Sequence, residues 1–270
     1  MAKMMGYQVI LHAHNSDMIG SKWLHYIGRK MFGGMKHCTR LACSEKAAEF
    51  MFGKGKRRKA EIINNAIDVK KFRYSASADL DVRTEMCLRG CVVYGFVGRF
   101  DRQKNPLFLV EVFREIAALD NRAKFLLVGD GELYDEIVTK IHQYGLDDRV
   151  CMTGQRDDVG KLYSAMDVLL LPSIYEGLPI VLIEAQAAGV ISVVSEEAVP
   201  IETRIREDFI RFVSINLSAK EWALIAVDSY KQSTNREEWN DEVLNSRYNI
   251  DKEAARLESI FFEVAEKAKK

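Results

Sequence analysis

The chain carries no excess charge of either sign: 39 lysines and arginines balance 39 aspartates and glutamates over 270 residues. A neutral chain has no net field to draw in a polyanion, so bulk electrostatics argue for neither a nucleic acid nor an acidic substrate. No apolar run reaches the length of a membrane span. The N-terminus, MAKMMGYQVILHAHNS, holds too short an apolar core for a signal peptide. Cysteine is sparse and odd in number: Cys38, Cys43, Cys87, Cys91 and Cys151. Their spacing makes no paired Cys-x-x-Cys site, so reduced thiols in a cytosolic protein are expected. There is no internal repeat and no low-complexity tract. What remains is a globular composition, 48% hydrophobic and 29% charged, at a length that suits one large or two modest domains.

The most informative stretch is residues 169–194, LLLPSIYEGLPIVLIEAQAAGVISVV. Its opening apolar run ends at Pro172 and reads as a buried strand. A short loop follows, and Pro179 suits the first position of a helix, where a missing N–H costs nothing. Residues 180–188 are apolar on nearly every face, so that helix should be buried. Gly189 ends it, and residues 191–194 form a second strand. This is the β-loop-α-β unit of a parallel sheet.

The rest of the chain extends the pattern. Residues 7–13 read as a strand, 17–32 as a helix, 39–43 as a strand, and Ser44 as the N-cap of a helix to about Phe52. The run Lys54 to Lys59 is a solvated loop or a contact with anionic lipid. Residues 61–64 form a third strand. Residues 76–91 read as a linker that ends in a short helix. Its Asp79 and Asp81 follow no strand, so they are surface charge rather than a metal site. From Val92 strands alternate with helices: strands at 92–97, 125–128, 150–153, 168–171, 191–194 and 212–215. The alternation predicts a doubly wound parallel sheet. Helices near 218–232, 237–246 and 252–267 complete the chain.

In such sheets ligands lie beyond the carboxyl ends of the strands. One strand-end loop holds Gly98, Arg99 and Lys104: glycine permits close backbone approach, and the two cations suit a diphosphate or simply a charged surface. A second holds Gly129-Asp130-Gly131. Tyr134 stands where a dinucleotide fingerprint needs its third glycine, so a hydride-transfer cofactor is not expected. A tight turn with Asp130 as N-cap serves equally well. The third holds Glu176, Gly177 and Leu178. Glu176 either answers a helix dipole or adjoins amides that hold an anion. Glu184 sits inside the apolar helix, where a carboxylate needs either a protein partner or a ligand rich in hydroxyls, such as a ribose. His12 and His14 end the first strand and share one face; a paired metal site would want further ligands, so structural or hydrogen-bonding histidines are the reading of the residues alone.

Arg99, Lys104, and PSIYEGLPIVLIEAQAAG with its two glutamates together resemble the donor site of retaining glycosyltransferases of family 4. Asn64 to Phe72 is similar to that family's segment before the domain crossover. The resemblance spans nearly the whole chain, is strongest over 92–195, and points to the enzymes of capsular and extracellular polysaccharide assembly. It implies a GT-B-like α/β fold: a partial N-terminal Rossmann-like domain (1–75), a linker (76–91), a complete nucleotide-sugar donor domain (92–250), and a C-terminal helix (251–270) packing back on the N-terminal part. By resemblance, Arg99 and Lys104 neutralise the donor's diphosphate and Glu184 accepts from ribose hydroxyls. Glu176 contacts the transferred sugar, and amides near Gly177 and Leu178 face sugar or phosphate. Gly98 and Gly131 line the donor, Arg156 borders the base, and His14 is the acceptor-side histidine, narrowly before His12. The resemblance implies retention without metal or cofactor, a glycan or lipid-linked acceptor, and a cytoplasmic location, at the inner face of the membrane if the acceptor is lipid-linked. The front of the chain departs from the family: about seventy residues precede the linker, where a full acceptor domain runs beyond ~100. Val190 and Ile191 follow Gly189 where the family has proline. The alternative expectation is therefore a donor-binding half that needs a partner chain.

Overall fold

The computed structural model of the protein describes residues 8–14, 23, 26–28, 30, 38–53, 60–232, 236 and 240–269. The helix expected over 17–32 lies mostly outside these residues, and the basic run 54–59 lies wholly outside them. The chain divides into two compact units, Met1–Ile67 with Arg247–Lys270, and Asp68–Ser246.

In the first unit β1 (Val9–Ala13), β2 (Cys38–Ala42) and β3 (Glu61–Ile62) form a parallel sheet in that order, with Val9 opposite Cys38 and Leu41 opposite Glu61. Helix α1 (Glu45–Phe52) follows β2, and Ser44 caps it by accepting from the Ala47 amide at 3.1 Å. That bond satisfies one of the donors every helix N-terminus leaves open. The C-terminal helix of the chain, Ile250–Lys269, belongs to this unit. Its Ile260 and Val264 pack with Leu41 and Ile63. Its buried Glu253 accepts from the Asn64 amide at 2.9 Å.

The second unit opens with a single helical turn, α2 (Val69–Phe72), and α3 (Ala76–Glu85). The linker expected at 76–91 is thus mostly helix, because Arg83 anchors it. Its guanidinium reaches Asp79 at 2.5 Å and Asp167 at 3.0 Å and donates to the Cys91 carbonyl. Asp79 is therefore an ion-pair partner, while Asp81 is exposed; the two do not act as one site.

Six parallel strands follow: β4 (Val92–Val97), β5 (Ala123–Val128), β6 (Val150–Gly154), β7 (Val168–Leu171), β8 (Ile191–Ser195) and β9 (Ile210–Val213). Their order is β6-β5-β4-β7-β8-β9. Every residue of β4 is buried, as expected of a central strand covered on both faces. Between strands run α4 (Pro106–Leu119), α5 (Tyr134–Gln143), α6 (Val159–Ala165) and α7 (Ile180–Ala187). After β9 come α8 (Ala219–Lys231) and α9 (Asn240–Asn245). The C-terminal helix of the first unit is α10.

Three local expectations shift. β9 lies two residues earlier than the run 212–215, because its pairing with β8 starts at Ser192 opposite Ile210. Pro179 is the N-cap of α7 rather than its first residue. Asp130 does not cap α5, whose N-cap is Leu133; the Asp130 carboxylate accepts from the Gly131 amide instead.

The strand order fixes where a ligand can bind. From β4 the chain builds outward to β5 and β6, then α6 carries it to β7 on the other side of β4. The strand order therefore reverses between β4 and β7, and the carboxyl edge at such a reversal is where sheets of this kind bind ligands.

Candidate functional site

The loop after β4 is shaped by its own backbone. The Asp101 carboxylate accepts from the Lys104 amide at 3.0 Å, and Asn105 turns left-handed (φ 55°) before Pro106 starts α4. This turn presents Lys104 to the loop after β7. Lys104 Nζ lies 2.7 Å from Glu176 Oε1, and both side chains are largely out of water, 14% and 5% exposed. Ser173 Oγ donates to the same carboxylate oxygen at 2.6 Å. Gln103 joins the two loops along its length. Its carbonyl accepts from the Ile174 amide at 2.8 Å, and its side-chain amide donates to the Tyr175 carbonyl at 2.9 Å and to Glu176 at 3.4 Å. From the end of β8, Ser195 Oγ donates to the Ser173 carbonyl at 2.5 Å.

The outcome is a carboxylate fixed by an ammonium, a hydroxyl and an amide at the fork of the sheet. Charge-assisted bonds of this length are the strong ones, and low exposure spares them from solvent screening. Among the described residues, none accepts a hydrogen bond from the amides of Gly177, Leu178 or Ile180, which run into the N-terminus of α7. Open amides at a helix start suit an anion.

Glu184 lies in α7 and is half-buried. Tyr163 of α6 donates its hydroxyl to Glu184 Oε2 at 3.0 Å. Burial pushes the Glu184 carboxyl above its ordinary range, and the Tyr163 bond draws it partly back. The protein partner considered for this carboxylate is therefore present, on one of its two oxygens. Arg99 is 77% exposed, 3.4 Å from Asp101. Among the described residues, no hydrogen bond or ion pair joins Arg99 or Glu184 to the Lys104–Glu176 pair.

Gly129 and Gly131 have a packing reason of their own, while Gly98 faces the Phe96 and Lys104 side chains. The loops after β4 and β5 continue the sheet as a backbone ladder: Gly98 donates to Val128, Phe100 to Asp130, and Leu133 to Phe100. A Cβ on Gly131 would lie 2.6 Å from the Phe100 carbonyl oxygen, and one on Gly129 only 1.9 Å from that of Gly98. Arg156, in the loop after β6, pairs with Asp158 at 2.8 Å and approaches Glu85 at 3.9 Å. In the first unit, His12 and His14 share one face as the strand period requires, with ring centroids 4.1 Å apart. His14 Nδ1 bonds Asn65 Oδ1 at 3.1 Å. Burial, then the neighbouring His14, lowers the His12 pKa.

Sequence reasoning missed Gln103, Ser173, Ser195 and Tyr163. Gln103 and Ser173 adjoin residues already singled out and could have been drawn in by proximity. Tyr163 stands among Lys161, Leu162 and Ser164 in a short mixed helix, where nothing in the sequence sets it apart.

Residues 91–241 match the family model described as "Glycosyl transferases group 1". The EpsF protein of Bacillus subtilis (strain 168), named as a glycosyltransferase, is 32% identical over 206 residues, 72% of this chain and 53% of its own length. The Escherichia coli UDP-Gal:alpha-D-GlcNAc-diphosphoundecaprenol alpha-1,3-galactosyltransferase is 34% identical over 143 residues, 51% of this chain and 36% of its own. The chain thus spans about half, or less, of the length of these curated relatives. Among solved structures, HepE of Anabaena in complex with UDP superposes with a TM-score of 0.82 at 18% identity, covering 97% of this chain and 74% of HepE. The α/β architecture with parallel sheets is GT-B-like.

Proposed function

This chain belongs to the group 1 glycosyl transferases, and from that membership we propose that it moves a sugar from a nucleotide-diphosphate donor to a growing glycan or lipid-linked acceptor. Retention of configuration, independence of metal, and a place in family 4 among enzymes of capsular or extracellular polysaccharide assembly complete the proposal. The observation that carries it is the Lys104–Glu176 cluster at the reversal of strand order, beside the N-terminus of α7. The names of relatives lend support: one acts on a diphosphoundecaprenol-linked sugar, another is a Vi polysaccharide biosynthesis protein, and HepE was solved with UDP-glucose.

The chemistry follows from charge. When the bond between the sugar's anomeric carbon and the diphosphate breaks, negative charge grows on the departing oxygen. Lys104 and Arg99 neutralise it, aided by the amides of Gly177 and Leu178; such preset electrostatics supply several kcal/mol of transition-state stabilisation, about 3–4 per well-placed donor. Glu176 contacts the transferred sugar, and Glu184 accepts from ribose hydroxyls. Gly98 and Gly131 let backbone approach the donor, and Arg156 borders the base. The acceptor oxygen attacks on the face the diphosphate leaves, and its proton passes to the leaving phosphate oxygen, so configuration is retained. His14 is the acceptor-side histidine.

Calorimetric titration with UDP and with GDP tests the donor site. Binding should weaken in both Arg99→Ala and Glu184→Ala; unchanged affinity in both rejects the site. Donor hydrolysis or transfer by the purified chain tests the activity. Binding without turnover, relieved by adding a second chain, would assign it the alternative role of a donor-binding half. Among the described residues no helix is long and apolar enough to cross a membrane. Work from the cytoplasm at the membrane's inner face is proposed, and sedimentation with anionic vesicles checks it.

A further inference from the structure

The donor reading leaves one buried group unexplained. Tyr163 is fully buried, yet it is a titratable phenol in the middle of the second unit's core. Its hydroxyl has two acceptors in reach, Glu184 Oε2 at 3.0 Å and the Val181 carbonyl at 3.3 Å. It has one proton to give, and the nearer and more basic acceptor is the carboxylate. Its ring is set edge-on against Phe72, with centroids 6.1 Å apart. The bond therefore ties a rigid, solvent-free donor to a half-buried acid on the neighbouring helix.

The two helices that carry this pair are themselves held together at their ends. Arg236 donates to the carbonyls of Tyr163 (2.7 Å), Ser164 (2.8 Å) and Met166 (2.9 Å) at the end of α6, and to Ala188 (2.9 Å) at the end of α7. Carbonyls at helix ends are left short of intrahelical partners, and one planar guanidinium reaches four of them, the Tyr163 carbonyl also taking the Met166 amide at 3.2 Å. The guanidinium also lies over the Tyr74 ring, 4.6 Å from its centroid. Gly189 leaves room for it: a Cβ there would meet Arg236 Cβ at 3.2 Å.

We propose that Tyr163 is the positioning residue for Glu184: by occupying Oε2 it fixes the carboxylate's rotamer and leaves Oε1 to accept from the vicinal hydroxyls of a ribose, which makes Tyr163 a determinant of ribose over deoxyribose. This inference rests on the donor reading, in which Glu184 meets the ribose. Among the described residues, no hydrogen bond is made to Glu184 Oε1. A carboxylate with one oxygen held selects for a hydroxyl at a fixed place; a free one swings and selects weakly.

The pH behaviour follows with a definite sign. Ribose hydroxyls donate to the ionised carboxylate, so affinity is present above the Glu184 pKa and lost as pH falls through it. Burial raises that pKa and the Tyr163 bond lowers it. Removing the bond therefore moves the acid limb to higher pH. On the other elements packed against α7, Lys71 of α2 pairs with Asp68 and Glu242 of α9 pairs with Arg206. Lys70 of α2 is exposed, and among the described residues Tyr163 is the titratable group bonded to Glu184.

The experiment titrates UDP and 2′,3′-dideoxy-UDP, with GDP and its dideoxy analogue in parallel, into the full chain and its Tyr163→Phe, Glu184→Ala and Glu184→Gln variants across pH. The unmodified chain should prefer the ribose form by roughly tenfold or more, the size of a hydrogen bond to a charged group. Tyr163→Phe should cut the preference to about twofold and raise the acid limb, while affinity for the dideoxy form holds. Added to Glu184→Ala, which leaves Tyr163 no side chain to position, it should change the preference no further. Equal loss for both ligands with an unmoved acid limb makes Tyr163 merely structural and overturns the inference. An unaltered preference in Glu184→Ala overturns instead the ribose role of Glu184 in the donor reading. 3-Fluorotyrosine at position 163, a stronger donor of nearly the same shape, should lower the acid limb, whether or not the phenylalanine variant folds; a limb that stays in place or rises overturns the inference.

Discussion

Lys104→Met removes the ammonium from the candidate site and leaves the rest of the side chain's bulk. What it strands can be read from the structure. Glu176 is only 5% exposed and loses its partner at 2.7 Å. It keeps Ser173 at 2.6 Å and a long contact from Gln103 at 3.4 Å. Breaking a buried pair from one side costs about 3–5 kcal/mol, because the surviving charge stays out of water. The Ser173 bond and the 14% exposure of Lys104 bring this case to or below the bottom of that range, about 2–3 kcal/mol. For a unit of this size that is a fall in Tm of roughly 5–10 °C. Glu176→Gln removes the charge from the other side, and the double variant removes both. Urea unfolding of the four proteins, followed by the fluorescence of the buried Trp222, closes a double-mutant cycle. The coupling should be about 2 kcal/mol. Saturating nucleoside diphosphate should stabilise the unmodified chain by about 2.7 kcal/mol at a hundredfold excess over Kd, and the Lys104→Met variant by clearly less. A coupling near zero would mean that water screens the pair, and the argument for a preset charge at the fork of the sheet would fail.

Other consequences follow from the same geometry. Gly129→Ala drives a Cβ to 1.9 Å from the Gly98 oxygen at φ +139°, so the loops after β4 and β5 must part, at a cost of about 3 kcal/mol or more. Gly145→Ala, at φ +63° with nothing within 4 Å, isolates the backbone penalty at about 1 kcal/mol; thermal melts compare the two. Glu184→Gln should stabilise the chain at pH 8 and do little at pH 4. The raised pKa gives a contribution that is full below the ordinary carboxylate value and lost as pH rises through the folded one. Ser44→Ala deletes the cap bond to Ala47 and should lower the first unit's stability by about 1 kcal/mol, measured by hydrogen exchange in α1.

The parallel sheet was legible because its strands are apolar runs separated by turn signals, and β4 and β7 show that most plainly. Lys104 and Glu176 were legible because each stands beside a glycine-containing loop at a strand end. A short helix was expected at the end of 76–91, but its place at 76–85 was not legible, because it is held by Arg83 meeting Asp167, a residue far along the chain. The same distance hides Arg236, whose four acceptors are backbone carbonyls and leave no mark in a sequence. The glycines of Gly129-Asp130-Gly131 were visible, but their cause was not: the backbone of another loop passes where a side chain would be.

The central claim is tested most directly by the structure of this chain crystallised with a nucleoside diphosphate. The diphosphate should lie beside the loops after β4 and β7, within hydrogen-bond reach of Lys104 and the Gly177 and Leu178 amides, with the ribose on Glu184. A diphosphate bound at the opposite edge of the sheet, or away from both loops, would contradict it.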